Sequence, residues 1–157
     1  MPETSEILDI LGAILGDEDL LRPADEPWDL GRVSAGTYIT CLCNGEGETL
    51  GAVATDLNAT ICLGGRLVMM PEAGLADKAR RLEVDEALTD AVTEIVNMTR
   101  IVFNRLPGNE HLSPLPARAM KTPRADGGEA WLLEPSARLD LAGECSFGAL
   151  RIAILFR

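Results

Sequence analysis

The sequence predicts an α+β fold, in which an antiparallel or mixed β-sheet is covered by helices. Apolar residues recur at helical spacing near the N-terminus and across residues 84–106. Strand-like segments precede and follow the second of these helices in the sequence. Since 46% of the 157 residues are hydrophobic, the chain can bury a core without a metal ion or disulfides. We therefore expect one domain over residues 1–157, with an acidic helix and linker at 1–31 and the core at 33–157.

The N-terminal third predicts a helix followed by a β-hairpin. Residues Ser5 to Leu21 place apolar side chains at helical spacing with Ser5 as the N-cap, and residues 21–31 contain two prolines that indicate a linker. Strands are predicted at 33–43 and 48–55, because the glycines between them permit the positive φ of a tight hairpin turn.

The middle of the chain predicts two helices. A short buried helix is expected at 57–69, weakened by Gly64 and Gly65 and ended by Pro71. The longer helix at 84–106 carries one apolar stripe, and this stripe must face a core because its members recur every three or four residues. Its members are Leu88, Val92, Ile95, Thr99, Val102 and Leu106.

The last third predicts extended segments and terminal strands. Prolines interrupt the residues after the long helix, and residues 125–128 have the composition of a turn. Strands are expected at Trp131–Leu133, Ala137–Leu141 and Ala149–Phe156.

Charge argues against several classes of partner. The formal net charge is −11. Nucleic acids and anionic membranes both require Lys and Arg to neutralise phosphates, so neither is expected as a partner. The acidic residues concentrate in residues 1–31, and the N-terminus lacks the basic start and apolar core of a signal peptide. We therefore expect a cytoplasmic protein.

The chain lacks the usual motifs of metal and nucleotide sites. Its four cysteines have no C-x-x-C spacing, and its one histidine, His111, lies far from them in sequence. Cys41 and Cys43 alternate along a predicted strand, so a zinc site there stays open beside the simpler interpretation that the thiols are buried. No glycine pattern matches a phosphate-binding loop, and no Ser/His/Asp arrangement occurs.

The polar face of the long helix holds the candidate catalytic residues. Asp90, Glu94 and Asn97 fall opposite the apolar stripe. Residues at i and i+3 on a helix have Cβ atoms about 5–6 Å apart, so the carboxylate of Glu94 and the carboxamide of Asn97 can engage one small target together. A solvated helix face has the same composition, so the pair by itself does not decide the function.

A resemblance to a known family gives this face a function. The spacing Asp90-x-x-x-Glu94-x-x-Asn97-Met-Thr resembles the signature of the CheC/CheX/FliY family, which are phosphatases of phosphorylated chemotaxis response regulators. Residues 37–55 resemble the opening hairpin of that family, and Leu112-Ser-Pro-Leu-Pro116 resembles the segment after its motif helix. The order of elements and the single motif copy are most similar to CheX.

The resemblance implies a reaction and a role for each residue. It implies that the chain accelerates hydrolysis of the aspartyl phosphate on a CheY-like receiver, in chemotaxis or related two-component signalling. Asn97 would orient the attacking water, Glu94 would pair with the receiver's lysine, and Asp90 would support the rim of the contact. The chain needs no cofactor of its own, because Mg²⁺ is expected on the receiver.

Ile101 departs from the family pattern, which usually places a glycine near this position. Ile101 lies between Glu94 and Asn97 on the helical wheel. It is expected to contact a docking partner, to block one, or to be covered by the chain's own loops. The alternative functions are a noncatalytic receiver-binding or scaffold module with a degenerate site and, more weakly, a structural subunit like those of the flagellar switch.

A homodimer is also expected. The resemblance to single-motif family members implies it, and the apolar segment 150–156 would otherwise present an exposed hydrophobic strand edge.

Overall fold

The fold is an antiparallel sheet packed against helices. The computed structural model describes residues 2–32, 36–105, 111–123 and 128–157. Within these ranges, seven strands form one sheet in which every pairing is antiparallel. The predicted α+β class is therefore confirmed.

Four α-helices occur in the described part of the chain, and none of them is both long and apolar enough to cross a lipid bilayer. They are α1 (Thr4–Leu15), α2 (Leu57–Leu67), α3 (Glu72–Arg81) and α4 (Glu86–Phe103).

The strands form a sheet with the order β1-β6-β7-β3-β2-β4, and β5 also pairs with β2. The strands are β1 (Leu21–Pro23), β2 (Tyr38–Cys43), β3 (Thr49–Thr55), β4 (Ser113–Pro114), β5 (Arg118–Ala119), β6 (Ala137–Cys145) and β7 (Gly148–Phe156).

The N-terminal helix is shorter than predicted. It ends at Leu15, because Gly16 adopts a left-handed conformation with φ of 67° and stops the helix. Its N-cap is Glu3, whose side chain makes no capping hydrogen bond, so the prediction of Ser5 as the cap is wrong. The predicted linker at 21–31 also contains β1, which pairs with β6 and joins this segment to the sheet.

The predicted hairpin is confirmed. Strands β2 and β3 pair directly, and Gly47 in the turn has φ of 82°. The carboxamide oxygen of Asn44 accepts hydrogen bonds from the backbone N–H groups of Glu46 and Glu48, at 3.0 and 2.9 Å, which fixes the turn. The predicted start of the first strand at Val33 lies outside the described residues.

Strand β7 is buried on both faces of the sheet. Ile152 and Ile154 join the core beneath the helices, whereas Ala153 and Leu155 join a second core on the opposite face. This explains why the apolar sequence is nearly continuous rather than alternating. Because β6 and β3 pair with β7 on either side, the prediction that it forms an exposed edge is wrong.

Two elements differ from the sequence prediction. Helix α3 was not predicted, because Leu75 is its one fully buried residue and its apolar stripe is correspondingly weak. Residues Ala130–Leu132 form a 3₁₀ helix instead of the predicted strand. Leu132 packs into the second core, so this segment covers the sheet face and does not extend the sheet. The turn predicted at 125–128 falls largely outside the described residues.

Two glycines allow α2 to pack closely against its neighbours. A Cβ at Gly64 would lie 2.7 Å from the backbone oxygen of Leu88 in α4, and one at Gly65 would lie 2.0 Å from a side-chain carbon of Leu75 in α3. Glycine generally lowers helix propensity, but the close packing here requires the small size of Gly64 and Gly65. Helix α2 ends at Leu67, and Pro71 is the N-cap of α3.

Substituting Gly64 therefore tests the contact between α2 and α4. We expect Gly64→Ala to lower the free energy of unfolding by about 1–3 kcal/mol, because the added methyl group meets backbone rather than a flexible side chain. Urea denaturation measures the change. Gly45→Ala is the control, since nothing lies within 4 Å of a Cβ at that position. Unchanged or higher stability of Gly64→Ala would contradict the proposed close packing.

Candidate functional site

Helix α4 has a well-defined start. Asp85 is its N-cap, and one carboxylate oxygen accepts a hydrogen bond from the backbone N–H of Leu88 at 3.1 Å. The other carboxylate oxygen lies 2.6 Å from the ammonium of Lys78 in α3. This ammonium and the Leu88 N–H lower the pKa of Asp85 below its usual value. The cap thus fixes the helical register and ties α4 to α3.

The apolar stripe of α4 faces the core as predicted. Leu88, Val92, Ile95, Thr99 and Val102 are each at most 4% exposed. The hydroxyl of Thr99 donates to the Ile95 carbonyl at 2.8 Å, so this polar group is satisfied inside the core. The sixth predicted member, Leu106, lies outside the described residues.

The opposite face of α4 carries the candidate catalytic pair. Asp90 and Glu94 are exposed, and Asn97 is half-buried. The Asn97 carboxamide donates a hydrogen bond from Nδ2 to Oε2 of Glu94 at 3.3 Å. The two predicted catalytic side chains are therefore in contact at the surface, on one side of a helix whose other side is packed.

Three polar side chains, two in α4 and one at its C-cap, hold a segment beside the helix. The hydroxyl of Thr93 accepts from the backbone N–H of Ala117 at 2.9 Å. The guanidinium of Arg100 donates to the Leu112 carbonyl at 2.6 Å, and the carboxamide oxygen of Asn104 accepts from the Leu112 N–H at 3.0 Å. These bonds fix residues 112–117 along one flank of the helix.

Two apolar side chains are exposed near the pair. Ile101, one turn beyond Asn97, is 52% exposed, so half of its surface remains open to a partner. Leu115 is 49% exposed and lies on the fixed segment, between the residues bonded to Arg100 and to Thr93. Apolar surface is thus available on the helix and on its flanking segment.

An open cleft lies next to Asn97. It has a volume of about 420 Å³, and its lining residues are Asn97, Met98, Arg100, Ile101, Asn104 and His111. The lining combines amide, guanidinium, imidazole and apolar groups. Such a cleft can receive a polar group of a partner protein beside the Asn97 carboxamide.

Sequence reasoning missed the residues that fix this flank. Thr93, Arg100 and Asn104 occupy polar positions, which the sequence cannot distinguish from a solvated helix face. The Pro-rich composition of 112–116 indicated an extended segment but did not indicate that α4 would hold it. The sequence also did not single out Leu115, because the exposure of its side chain depends on how α4 holds this segment.

No metal centre is formed by the described residues. No group of three or more His, Cys, Asp or Glu side chains in them could hold a metal ion. Cys41 and Cys43 are both free thiols, one half-buried and one buried. The described residues therefore offer no ligand set for the zinc site considered at Cys41 and Cys43.

The described arrangement is the fold of chemotaxis proteins of the CheC, CheX and FliY type. CheX in the CheX–CheY–BeF₃–Mg²⁺ complex from Borrelia burgdorferi is 13% identical, with a TM-score of 0.54 and coverage of 98% of this chain and 94% of that chain. CheX from Vibrio vulnificus is 16% identical, with a TM-score of 0.53 and coverage of 97% and 94%. FliY from Thermotoga maritima is 11% identical, with a TM-score of 0.55 and coverage of 97% and 83%.

The comparison confirms the fold suggested by the sequence resemblance. No protein-family model and no curated protein matches the sequence. At identities of 11–16%, the similarity establishes the fold, and the activity must be argued from the residues of this chain.

The hydrogen bond between Thr93 and Ala117 provides a test of the fixed flank. We expect Thr93→Val to raise the hydrogen-exchange rate of the Ala117 amide about tenfold, because this N–H loses its partner. Mass-spectrometric or NMR exchange measures the change. Thr89→Val is the control, since the Thr89 hydroxyl donates to the Glu86 carbonyl within the helix. Equal exchange in both variants would show that this bond does not hold the segment.

Proposed function

We propose that the protein is a phosphatase of response regulators, which accelerates hydrolysis of the aspartyl phosphate on a CheY-like receiver. The observation that carries this proposal is the contact between Glu94 and Asn97 on the exposed face of α4. Both side chains project from a helix that is capped at its start and packed along its opposite side. Such support provides the fixed geometry that catalysis by positioning requires.

The chemistry requires little from this chain. In the proposed complex, the receiver supplies the aspartyl phosphate, the Mg²⁺ ion and a lysine, so the chain needs no cofactor of its own. The Asn97 carboxamide has an acceptor oxygen and a donor nitrogen, and both can hold a water molecule in line with the scissile P–O bond. The carboxylate of Glu94 pairs with the receiver's lysine and holds Asn97 in register.

The surface around the pair has the composition of a docking site. Asp90 and Glu94 provide negative charge, which favours a partner with basic groups beside its phosphorylation site. Ile101 on α4 and Leu115 on the flanking segment provide half-exposed apolar contacts. Charged groups orient the encounter, whereas apolar contacts contribute area that is removed from water.

A noncatalytic receiver-binding module is the second candidate, and Ile101 is the observation that favours it. In the resembling family a glycine usually keeps the helix surface low near this position. A half-exposed isoleucine adds bulk between Glu94 and Asn97, and this bulk could hold the receiver too far away for chemistry.

The decisive experiment measures phosphate loss. Receiver domains from the same genome are phosphorylated with a small phosphodonor, and the decay of each acyl phosphate is followed with and without this protein. The phosphatase proposal predicts faster decay for at least one receiver. Binding to a receiver without faster decay would identify the noncatalytic module, and absence of both would reject the two candidates together.

The Asn97→Ala variant tests the water-positioning role. We expect the dephosphorylation rate to fall by about 10²–10³, because the variant lacks the group that positions the water. Affinity for a receiver that carries beryllofluoride should change little, since Glu94 and the apolar contacts remain. Circular dichroism checks the fold, which a half-buried surface position should leave intact. Full activity of the variant would exclude the assigned role.

The Glu94→Ala variant tests the ion pair. We expect weaker receiver binding and slower turnover together, because the proposed pair with the receiver's lysine exists only in the complex. Titration calorimetry and the phosphate assay measure the two effects. Glu86→Ala is the control, since Glu86 is an exposed carboxylate in the first turn of the same helix. Equal affinity of wild type and Glu94→Ala would remove this residue from the interface.

The Ile101→Ala variant separates the two candidate functions by the sign of its effect. If Ile101 packs against the receiver, the variant should bind more weakly and dephosphorylate more slowly, because apolar contact area is lost. If Ile101 blocks the receiver, the variant should gain activity, because alanine removes bulk without weakening the helix. The phosphatase proposal expects the first result. An inactive wild type with an active variant would support the noncatalytic module.

Homodimerisation and a cytoplasmic location remain predictions. The argument for dimerisation from β7 no longer holds, because β7 is paired on both sides. In the described residues the path of the sheet ends at β1 on one side and at β4 on the other. Both are short and contain proline, which limits pairing with another strand. A dimer would therefore require another surface or a longer edge.

A further inference from the structure

The turn between β6 and β7 lies against helix α2. The carboxamide of Asn58, in the first turn of α2, donates to the Ala149 carbonyl at 3.2 Å. Gly148 is close enough to Asn58 that a Cβ there would lie 2.7 Å from its amide nitrogen. Cys62 is four residues after Asn58 and thus one helical turn further along the same side. This packing brings Cys62 close to Cys145, the last residue of β6.

Cys62 and Cys145 face the same small pocket although they are far apart in sequence. The Cys145 thiol lies 3.3 Å from the Gly148 carbonyl. Both residues line a small pocket of about 120 Å³ together with Arg66 and Phe147. Cys62 is 1% exposed, whereas Cys145 is half-buried and can be reached from solvent.

The surroundings give the two thiols different reactivities. Burial, reinforced by the neighbouring Cys145, raises the pKa of Cys62 to about 11. The nearby Arg66 guanidinium acts in the opposite direction and can stabilise a thiolate once it forms. Arg66 is itself held by Asp17, at 2.8 Å. Cys145 is therefore the thiol that meets a reagent, and Cys62 is placed to react with Cys145.

We propose that Cys62 and Cys145 form an oxidisable dithiol site, which reacts with a small organic disulfide such as glutathione disulfide. The proposal is independent of the phosphatase function. The product is an intramolecular disulfide that joins α2 to the end of β6.

The reaction proceeds by two thiol–disulfide exchanges. The Cys145 thiolate attacks one sulfur of glutathione disulfide, so a mixed disulfide forms and one glutathione thiolate leaves. The Cys62 thiolate then attacks the Cys145 sulfur, so the protein disulfide forms and the second glutathione leaves. Both thiol protons end on the glutathione molecules. The two cysteines are oxidised, and glutathione disulfide is reduced to two glutathione thiols.

Cys41 and Cys43 provide an internal comparison. They lie two residues apart on β2, so an extended strand separates their Cα atoms by about 6.8 Å, at the upper limit for a disulfide. Cys43 also contacts the hydroxyl of Thr49, at 3.5 Å. This pair should therefore form no disulfide with each other under conditions in which Cys62 and Cys145 react.

The test treats the full-length protein with glutathione disulfide at about pH 8, where free thiols are partly ionised. Remaining thiols are alkylated in denaturant, and intact mass and peptide mapping identify the products. We expect the loss of two alkylatable thiols, the loss of two hydrogen atoms in mass, and a cross-linked peptide containing Cys62 and Cys145. Dithiothreitol should restore all four thiols.

Two variants test the order of the steps. Cys62→Ser should accumulate the mixed disulfide at Cys145, because the second thiol is absent. Cys145→Ser should leave Cys62 unmodified in the folded protein, because this thiol is buried. A wild type that keeps four free thiols, stops at the mixed disulfide, or cross-links Cys41 to Cys43 would overturn the proposal. These wild-type results stand even if a variant fails to fold.

Discussion

The burial of the apolar stripe of α4 is the constraint on which the candidate site depends. A helix turns by about 100° per residue, so fixing Leu88, Ile95 and Val102 against the core also fixes the direction of every other side chain. Glu94 and Asn97 face outward because the stripe faces inward. The cap at Asp85 and the close approach of α2 at Gly64 keep α4 in this orientation about its own axis. The chemistry at the surface thus rests on packing on the opposite side of the helix.

The flanking segment 112–117 adds a second constraint, which acts on the directions from which a partner can approach Asn97. A bare helix would present Asn97 on a convex ridge, where a partner can approach from many directions. Side chains of α4 hold this segment along one flank, which leaves Asn97 next to a cleft. The same bonds satisfy backbone groups that an extended, proline-containing segment cannot pair by itself. Local satisfaction of polar groups therefore also shapes the candidate docking surface.

The sequence predicted features that depend on local periodicity. The stripe of α4, the hairpin around Asn44 and the outward direction of Glu94 and Asn97 follow from spacing and turn chemistry. Features that depend on distant contacts were missed or wrongly assigned. Helix α3 has one fully buried residue, so its apolar pattern is weak. Strand β1 forms because it pairs with β6. Trp131 lies in a 3₁₀ helix that covers the sheet. The roles of Thr93 and Arg100 depend on a segment that begins 12 residues beyond Arg100 and that the helical pattern does not describe.

The central position of β7 has a consequence for how the protein folds. Its pairing with β3 joins residues about a hundred positions apart, for example Gly51 and Phe156. The hairpin of β2 and β3 is local and can form early, but one side of β3 then stays open until β7 arrives. During that interval the nascent sheet presents an apolar, unpaired strand to other chains. Aggregation during synthesis or refolding is thus governed by how quickly β7 closes the sheet.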